Sequence, residues 1–218
     1  MRKAALLLIF VFISSVLFAG EIRYEIGNYR ADKDVLNEKI TAKAEDGFTP
    51  LGLTHDADGR VSVLYVSGII EFDSWQLVEY QNMFAFQDGM TERLEAGMYP
   101  VGLSLIDGKY HVLFIRSKNT VTSWQLVRTG FSERDALKDL KPYFAAGFLP
   151  AAISGSEDKM AVLLLEMEEQ LGKSWNLIRY PAEGDFISQQ IAKNLQAGRI
   201  PWGIHFKENK LFISYIQL

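Results

Sequence analysis

Apolar and polar residues alternate along the chain in short stretches that are typical of β-strands, and longer stretches typical of helices separate them. In "SWQLV" at 74–78, Trp75 and Leu77 belong to one face of a strand, and Gln76 and Val78 belong to the other. Nearly the same five residues return as "SWQLV" at 123–127 and "SWNLI" at 174–178. The pattern of strands and helices is therefore internally repeated, and the repeat decides how the rest of the chain is interpreted.

Four prolines mark the period of the repeat, because Pro50, Pro100, Pro150 and Pro201 are 50, 50 and 51 residues apart. A helical stretch precedes each proline and ends at a glycine three residues before it. Glycine suits the left-handed residue that closes a helix, and proline prevents the helix from continuing. Each copy then continues as a strand, a polar turn and a second strand.

The repeat predicts an α+β fold made of four tandem βαββ units of about 50 residues, at approximately 24–68, 75–117, 124–168 and 175–218. The segment "YEIGNY" at 24–29 aligns with "WQLVEY" at 75–80, and the fourth copy has no Trp-type strand after its second strand. We therefore expect the N-terminal strand to complete the last repeat and to close the units into a ring or barrel. Such closure leaves no free sheet edge.

Residues 1–20 have the pattern of a signal peptide, with basic Arg2 and Lys3, an apolar run and small residues at the end. The alternative is an uncleaved anchor, but the run is short beside the ~20 apolar residues that span a bilayer. We expect an exported protein, periplasmic or extracellular, with a single mature domain at 21–218 and no membrane segment after cleavage.

Charge and composition exclude several classes of function. The mature chain would carry 21 basic and 27 acidic side chains, a net charge of −6, which disfavours nucleic-acid binding. The absence of cysteine removes disulfides, thiolate catalysis and thiolate metal sites. With 48% hydrophobic and 12% aromatic residues, the domain can instead be held together by its core.

Motifs for catalysis or cofactor binding are missing from the sequence. "DADG" at 56–59 lacks the closing glutamate of a calcium loop, and "SEDK" at 156–159 falls in a turn, so both are interpreted as hairpin turns. The three histidines, His55, His111 and His205, show no ligand spacing. The sequence predicts no catalytic residue, no cofactor and no metal.

Two rows of polar residues recur in equivalent positions and are the candidate ligand-binding residues. The first row, four residues after each proline, consists of Thr54, Ser104, Ser154 and His205. The second row, on the Trp-type strands, consists of Glu25, Gln76, Gln125 and Asn176. Trp202 joins them because it replaces a smaller aliphatic residue. The rows either line a polar pocket inside the ring or form hydrogen bonds that join the units.

A Trp-type strand, a helix, a Gly–aromatic–x–Pro motif and a strand pair resemble the tandem repeats of some secreted bacterial and fungal proteins. One example is the repeat domain attached to the serine hydrolase domain of polyglycine hydrolases. In that family the chemistry resides in the attached hydrolase domain, and the repeats are thought to form a vase-like scaffold. The resemblance implies a non-enzymatic module; Tyr24 and Arg199 depart from its motif.

We therefore expect an exported, non-enzymatic repeat protein that binds a polar uncharged ligand, such as a saccharide or peptide, or an envelope component. The alternative is a structural or protein-interaction scaffold without a small ligand, whose apolar and aromatic loops at 69–73 and 83–86 meet a partner. A third possibility is an enzyme that uses Glu25 and His205 as an acid/base pair, if ring closure brings them together.

Overall fold

The structure is a computed structural model that describes residues 22–56, 59–118, 120–156, 158–168, 172 and 174–217. The residues of the expected signal peptide, and residues 57–58 and 157 of the two turn motifs, lie outside the described residues.

Within the described residues, the chain repeats the order strand, helix, strand, strand four times. Unit 1 consists of β1 (Tyr24–Arg30), α1 (Lys33–Glu45), β2 (Phe48–His55) and β3 (Arg60–Ser67). Unit 2 consists of β4 (Phe72–Tyr80), α2 (Met83–Glu95), β5 (Met98–Ile106) and β6 (Lys109–Ser117). Unit 3 consists of β7 (Val121–Thr129), α3 (Glu133–Ala145), β8 (Phe148–Gly155) and β9 (Met160–Met167). Unit 4 consists of β10 (Ser174–Pro181), α4 (Gly184–Gln196), β11 (Arg199–Lys207) and β12 (Lys210–Gln217). The predicted α+β class and the four βαββ units are confirmed.

Each of the four described helices ends at a local sequence signal, and three of them also begin at one. The side chains of Asp32, Asn82 and Ser132 accept hydrogen bonds from backbone N–H groups at the starts of α1, α2 and α3. Each helix ends before a glycine in the left-handed region; Gly47, for example, has a φ of 80°. These local signals place every helix at the same point of its unit.

Each unit folds into its own three-stranded sheet, in which the last strand of the unit lies in the middle. In unit 1, β3 pairs antiparallel with β1 on one side and with β2 on the other. The outer strand β1 and the inner strand β2 therefore run parallel, and α1 is the crossover that a parallel connection requires.

The prediction that the N-terminal strand completes the last repeat is wrong. β1 pairs with β3 of its own unit, from Tyr24↔Val66 to Arg30↔Arg60. β10 completes the fourth sheet by pairing with β12. The Trp-type strand thus belongs to the helix that follows it, because a short crossover joins the two within one unit. Repeat spacing alone is compatible with either assignment.

The four sheets also do not merge into a barrel, since no strand pairing links one described sheet to another. The inner strands nevertheless contact one another in cyclic order, β2 with β5, β5 with β8, β8 with β11 and β11 with β2. Diagonal contacts of β2 with β8 and of β5 with β11 show that these strands surround a common axis.

The common axis is filled by apolar side chains rather than by a channel. Every inner strand shifts its register at the residue after its proline. These bulged residues are buried, and they are Leu51, Val101, Ala151 and Trp202. A cavity of about 10 Å³ lies between Val101, Ala151 and Trp202. Trp202, the largest of the four, takes up the space that a pore would need.

Candidate functional site

The first polar row joins the units to one another. The N–H of Phe206 in unit 4 donates to Thr54 Oγ1 in unit 1 over 3.0 Å. The N–H of Leu105 in unit 2 donates to Ser154 Oγ in unit 3 over 2.9 Å. Ser104 Oγ of unit 2 lies 2.7 Å from His55 Nδ1 of unit 1. The three hydroxyl residues are buried, so the row serves inter-unit hydrogen bonding, one of the two roles expected for it.

The small residues that share this strand face allow one backbone to approach another. A Cβ atom on Gly102 would lie 2.8 Å from Leu53 Cβ and 3.0 Å from Leu53 N. A Cβ atom on Gly52 would lie 3.1 Å from the backbone nitrogen of Ile204. These glycines therefore leave room for the backbone of the neighbouring unit.

His205, which replaces a hydroxyl in this row, packs within the core between units 3 and 4. Its ring stacks on Phe131 at a centroid distance of 5.8 Å, and a Cβ atom on Gly155 would lie 2.5 Å from its Nε2. Burial, and to a smaller extent the charge of Lys207, lowers the pKa of His205 to about 4. His205 and Trp202 are both more than nine-tenths buried, so neither faces a ligand.

The second polar row lies on the outer strands, and the middle strand of each sheet separates it from the first row. A pocket lined by both rows is therefore not formed. Gln76 and Gln125 are exposed, and Asn176 Nδ2 donates to Glu133 Oε1 over 3.3 Å. Glu25 forms an ion pair with Lys43 Nζ at 2.6 Å. Since His205 is packed on Phe131, the hypothetical acid/base pair of Glu25 and His205 is not assembled.

The tryptophans of the repeat contribute to packing between units. Trp124 of unit 3 meets Phe86 of α2 edge to face, with ring centroids 5.5 Å apart. Trp175 of unit 4 lies 6.1 Å from Phe144 of α3. Each of these outer strands is therefore held against the helix of the preceding unit.

A cavity of about 190 Å³ lies between units 1 and 2. Its apolar wall consists of Leu36, Leu53, Val61 and Leu77. Its polar wall consists of His55 from unit 1 and Glu79 and His111 from unit 2. Ala31 and Lys33, at the start of α1, are exposed and form the rim. One side of the cavity is therefore apolar, and the other carries titratable groups from two units.

The polar wall is a connected cluster. The rings of His55 and His111 are 4.9 Å apart, centroid to centroid, and tilted by 53°. His111 Nε2 lies 3.7 Å from Glu79 Oε2, and Lys109 Nζ lies 2.9 Å from Glu79 Oε1. β4 and β6 position Glu79 opposite His111 in the ladder, and the end of β2 brings His55 against them.

Burial lowers the pKa of His55 to about 4, and the neighbouring His111 contributes in the same direction. Burial likewise lowers the pKa of His111, and it outweighs the opposing effect of Glu79. The hydrogen bond from Lys109 holds the pKa of Glu79 below its usual value. At neutral pH both imidazoles are therefore uncharged, and the Glu79 carboxylate is paired with Lys109. The polar wall offers neutral hydrogen-bonding groups.

Catalysis and metal binding do not follow from this cluster. Ser104 and His55 are hydrogen-bonded like a nucleophile and its base, but Ser104 is only 3% exposed and links two units. In the described part of the chain, no group of three or more histidine, aspartate or glutamate side chains is placed to hold a metal ion.

The cavity lies where smaller side chains replace aromatic rings that are found at two of the other boundaries. At the boundary of units 2 and 3, Phe86 stacks on Tyr110 with centroids 4.8 Å apart. The alignment of the repeats gives Leu36 and Val61 as their counterparts in unit 1. At the boundary of units 3 and 4, Phe131 packs on Phe212 at 5.3 Å. Their counterparts in the cavity are Ala31 and His111. This substitution pattern was the signal that motif searching missed.

The boundary of units 4 and 1 carries a wider groove of about 540 Å³, lined by Tyr24, Glu25 and Phe206 among others. Tyr24 Oη donates to the carbonyl of Ser188 on α4 over 2.8 Å, which ties the first strand to the last helix. Phe206 occupies the position that His55 has in unit 1. Glu25, one of the residues expected to bind ligand, lines this groove.

A scan against protein-family models found no match for this chain, and a search of the curated proteins found none either. None of the helices in the described ranges combines the length and apolar character needed to span a bilayer.

Proposed function

We propose that the protein is a non-enzymatic binding module that holds a small uncharged ligand in the cavity between units 1 and 2. The observation that carries this proposal is the opening itself: aromatic rings fill the boundary of units 2 and 3 and that of units 3 and 4, whereas this one is open and bordered by His55 and His111. Neutral imidazoles suit a ligand that donates and accepts hydrogen bonds without a net charge.

The volume of the cavity limits the size of the ligand. Pockets for drug-sized molecules measure about 300–1,000 Å³, whereas this cavity measures about 190 Å³. A single sugar ring, or one side chain of a bound peptide, is the largest group that fits. The polar uncharged ligand expected from the sequence is thereby retained as a proposal, but at a different place from the two polar rows.

Export and membership of a secreted repeat family belong to the same proposal. Export is supported by the basic, apolar and small-residue order of residues 1–20. The family is supported by the recurring Trp and Gly–aromatic–x–Pro motifs. A scaffold role beside a catalytic partner, as the resemblance implies, would require no chemistry from this chain.

Histidine NMR tests the binding proposal directly, because the chain contains three histidines. Monosaccharides and dipeptides are titrated at pH 7.5 while the imidazole resonances are followed. A ligand in the cavity should shift the resonances of His55 and His111 and leave that of His205 unchanged, since His205 lies at another boundary. Thermal stability should rise as well; saturation at 100 times Kd corresponds to about 2.7 kcal/mol. Unchanged resonances of His55 and His111 with every saccharide, dipeptide and small uncharged aromatic compound would contradict the proposal.

A protein-interaction scaffold is the second candidate function, and Phe84 supports it. Its side chain is 78% exposed at the start of α2, where a large apolar group gains nothing from solvent. The segment 83–86 is thus the first turn of a helix rather than a loop, and Phe86 in it is buried. If the protein is only a scaffold, no small molecule should shift the His55 imidazole resonance. The protein should instead bind a partner, and Phe84→Ser should abolish that binding.

A further inference from the structure

Two of the other boundaries show what kind of group the cavity accommodates. Phe86 and Tyr110 fill the boundary of units 2 and 3, and Phe131 and Phe212 fill that of units 3 and 4. The backbones around the cavity follow the same repeat, but Leu36, Val61 and Ala31 leave the ring positions open. The missing volume therefore has the shape of an aromatic side chain.

The volume agrees with one substituted ring. An apolar cavity of about 150 Å³ holds one benzene molecule. The cavity between units 1 and 2 measures about 190 Å³, which leaves room for one small substituent beyond the ring. Leu36, Leu53, Val61 and Leu77 offer the ring an apolar wall like that of a protein core.

The polar wall specifies what the ring must carry. His55 and His111 lie side by side, and burial keeps them neutral at physiological pH. A hydroxyl group on the ring can donate to one imidazole and accept from the other, whereas an unsubstituted ring would leave these groups without a ligand partner.

We infer that the cavity binds a single phenol-type ring, with the ring against the leucines and its hydroxyl at His55 and His111. This inference rests on the proposed function and names the ligand class for the same cavity. The ring comes either from a free phenolic compound or from a tyrosine side chain of a bound peptide. Both present the same group to the cavity.

The experiment compares three probes on the full chain at pH 7.5: p-cresol, toluene and methyl glucoside. p-Cresol and toluene share a shape and differ in the hydroxyl group. p-Cresol should shift the His55 and His111 imidazole resonances, and toluene should bind about 3- to 10-fold more weakly, the effect of one hydrogen bond. Acetyl-tyrosine amide is then tested as a fourth probe. Because it carries the same ring on a peptide backbone, comparing its binding with that of p-cresol distinguishes a peptide side chain from a free phenol.

Unit 2 provides a control, because placing its aromatic residues at the equivalent positions of unit 1 should fill the cavity. The variant Leu36→Phe/Val61→Tyr carries the residues that stack as Phe86 and Tyr110, so it should lose p-cresol binding while its Tm stays equal or rises. Leu36→Phe alone serves as a second variant if the double variant misfolds, and it should weaken binding.

The outcomes separate the inference from the proposed function. Methyl glucoside shifting His55 and His111 where p-cresol does not would overturn the phenol inference and leave the binding module intact. Toluene binding as tightly as p-cresol, or p-cresol binding equally to the filled variants, would also overturn the inference. No response to any probe at His55 and His111, including the saccharides and dipeptides, would overturn both.

Discussion

Replacing Thr54 by valine tests how the first and last units are joined. Thr54 Oγ1 accepts the N–H of Phe206 from unit 4 over 3.0 Å, across 152 positions of sequence. Valine has nearly the shape of threonine, so packing in the buried position is kept while the acceptor is lost. The N–H of Phe206 then faces an apolar methyl group.

The expected cost follows from that unpaired donor. Leaving a buried N–H without an acceptor costs about 1–3 kcal/mol. The bond between Phe206 and Thr54 is only partly buried, so the lower end of this range applies. With a urea m-value of about 2 kcal/mol/M, a loss of about 1 kcal/mol lowers the midpoint by about 0.5 M.

Urea unfolding measures the stability, and amide hydrogen exchange measures the contact itself. In Thr54→Val, the amide of Phe206 should exchange faster than in the parent, while the m-value is unchanged. Thr122→Val is the matched control; Thr122 Oγ1 donates at an exposed position on β7, so its loss should change stability by less than about 0.5 kcal/mol. Equal midpoints and equal Phe206 exchange in Thr54→Val and the parent would refute the inter-unit role of the hydroxyl row.

Three further predictions concern the packing of the units. Gly102→Ala should cost about 1–3 kcal/mol in urea unfolding, because its Cβ would meet Leu53 at 2.8 Å; a cost below about 0.5 kcal/mol would contradict that contact. The folded-state pKa values of His55 and His205 are lowered to about 4, so the stability that these neutral rings support is present above pH 6.5 and is lost as pH falls from 6.5 toward 4. The urea midpoint should therefore be lower at pH 5 than at pH 7.5, and the difference should be smaller in His55→Leu. An equal difference in the variant and the parent would contradict the role of His55. Trp202→Val should cost about 3 kcal/mol or more by opening a void at the axis, and thermal unfolding with an unchanged Tm would show that the axis is not packed by this residue.

The sequence pattern reveals only part of the candidate site. The hydroxyl row was visible in the sequence because it recurs at a constant distance from each proline. Its partners, the N–H groups of Phe206 and Leu105, were not visible, because they come from other units. The histidine cluster was hidden for the same reason, since His55 and His111 meet only after units 1 and 2 have packed.

The extent of each unit, its helix ends and its strand pattern are encoded locally, in glycines, prolines and alternating residues whose backbone preferences act within a few positions. The pairing of β1 with β3, the filled axis and the open boundary beside His55 are not encoded in this way. They depend on which surfaces bury the most apolar area and satisfy the most polar groups between units. The side chains that surround a cavity lie far apart in the sequence. Only the folded structure shows where their combined volume fails to fill the space between the units.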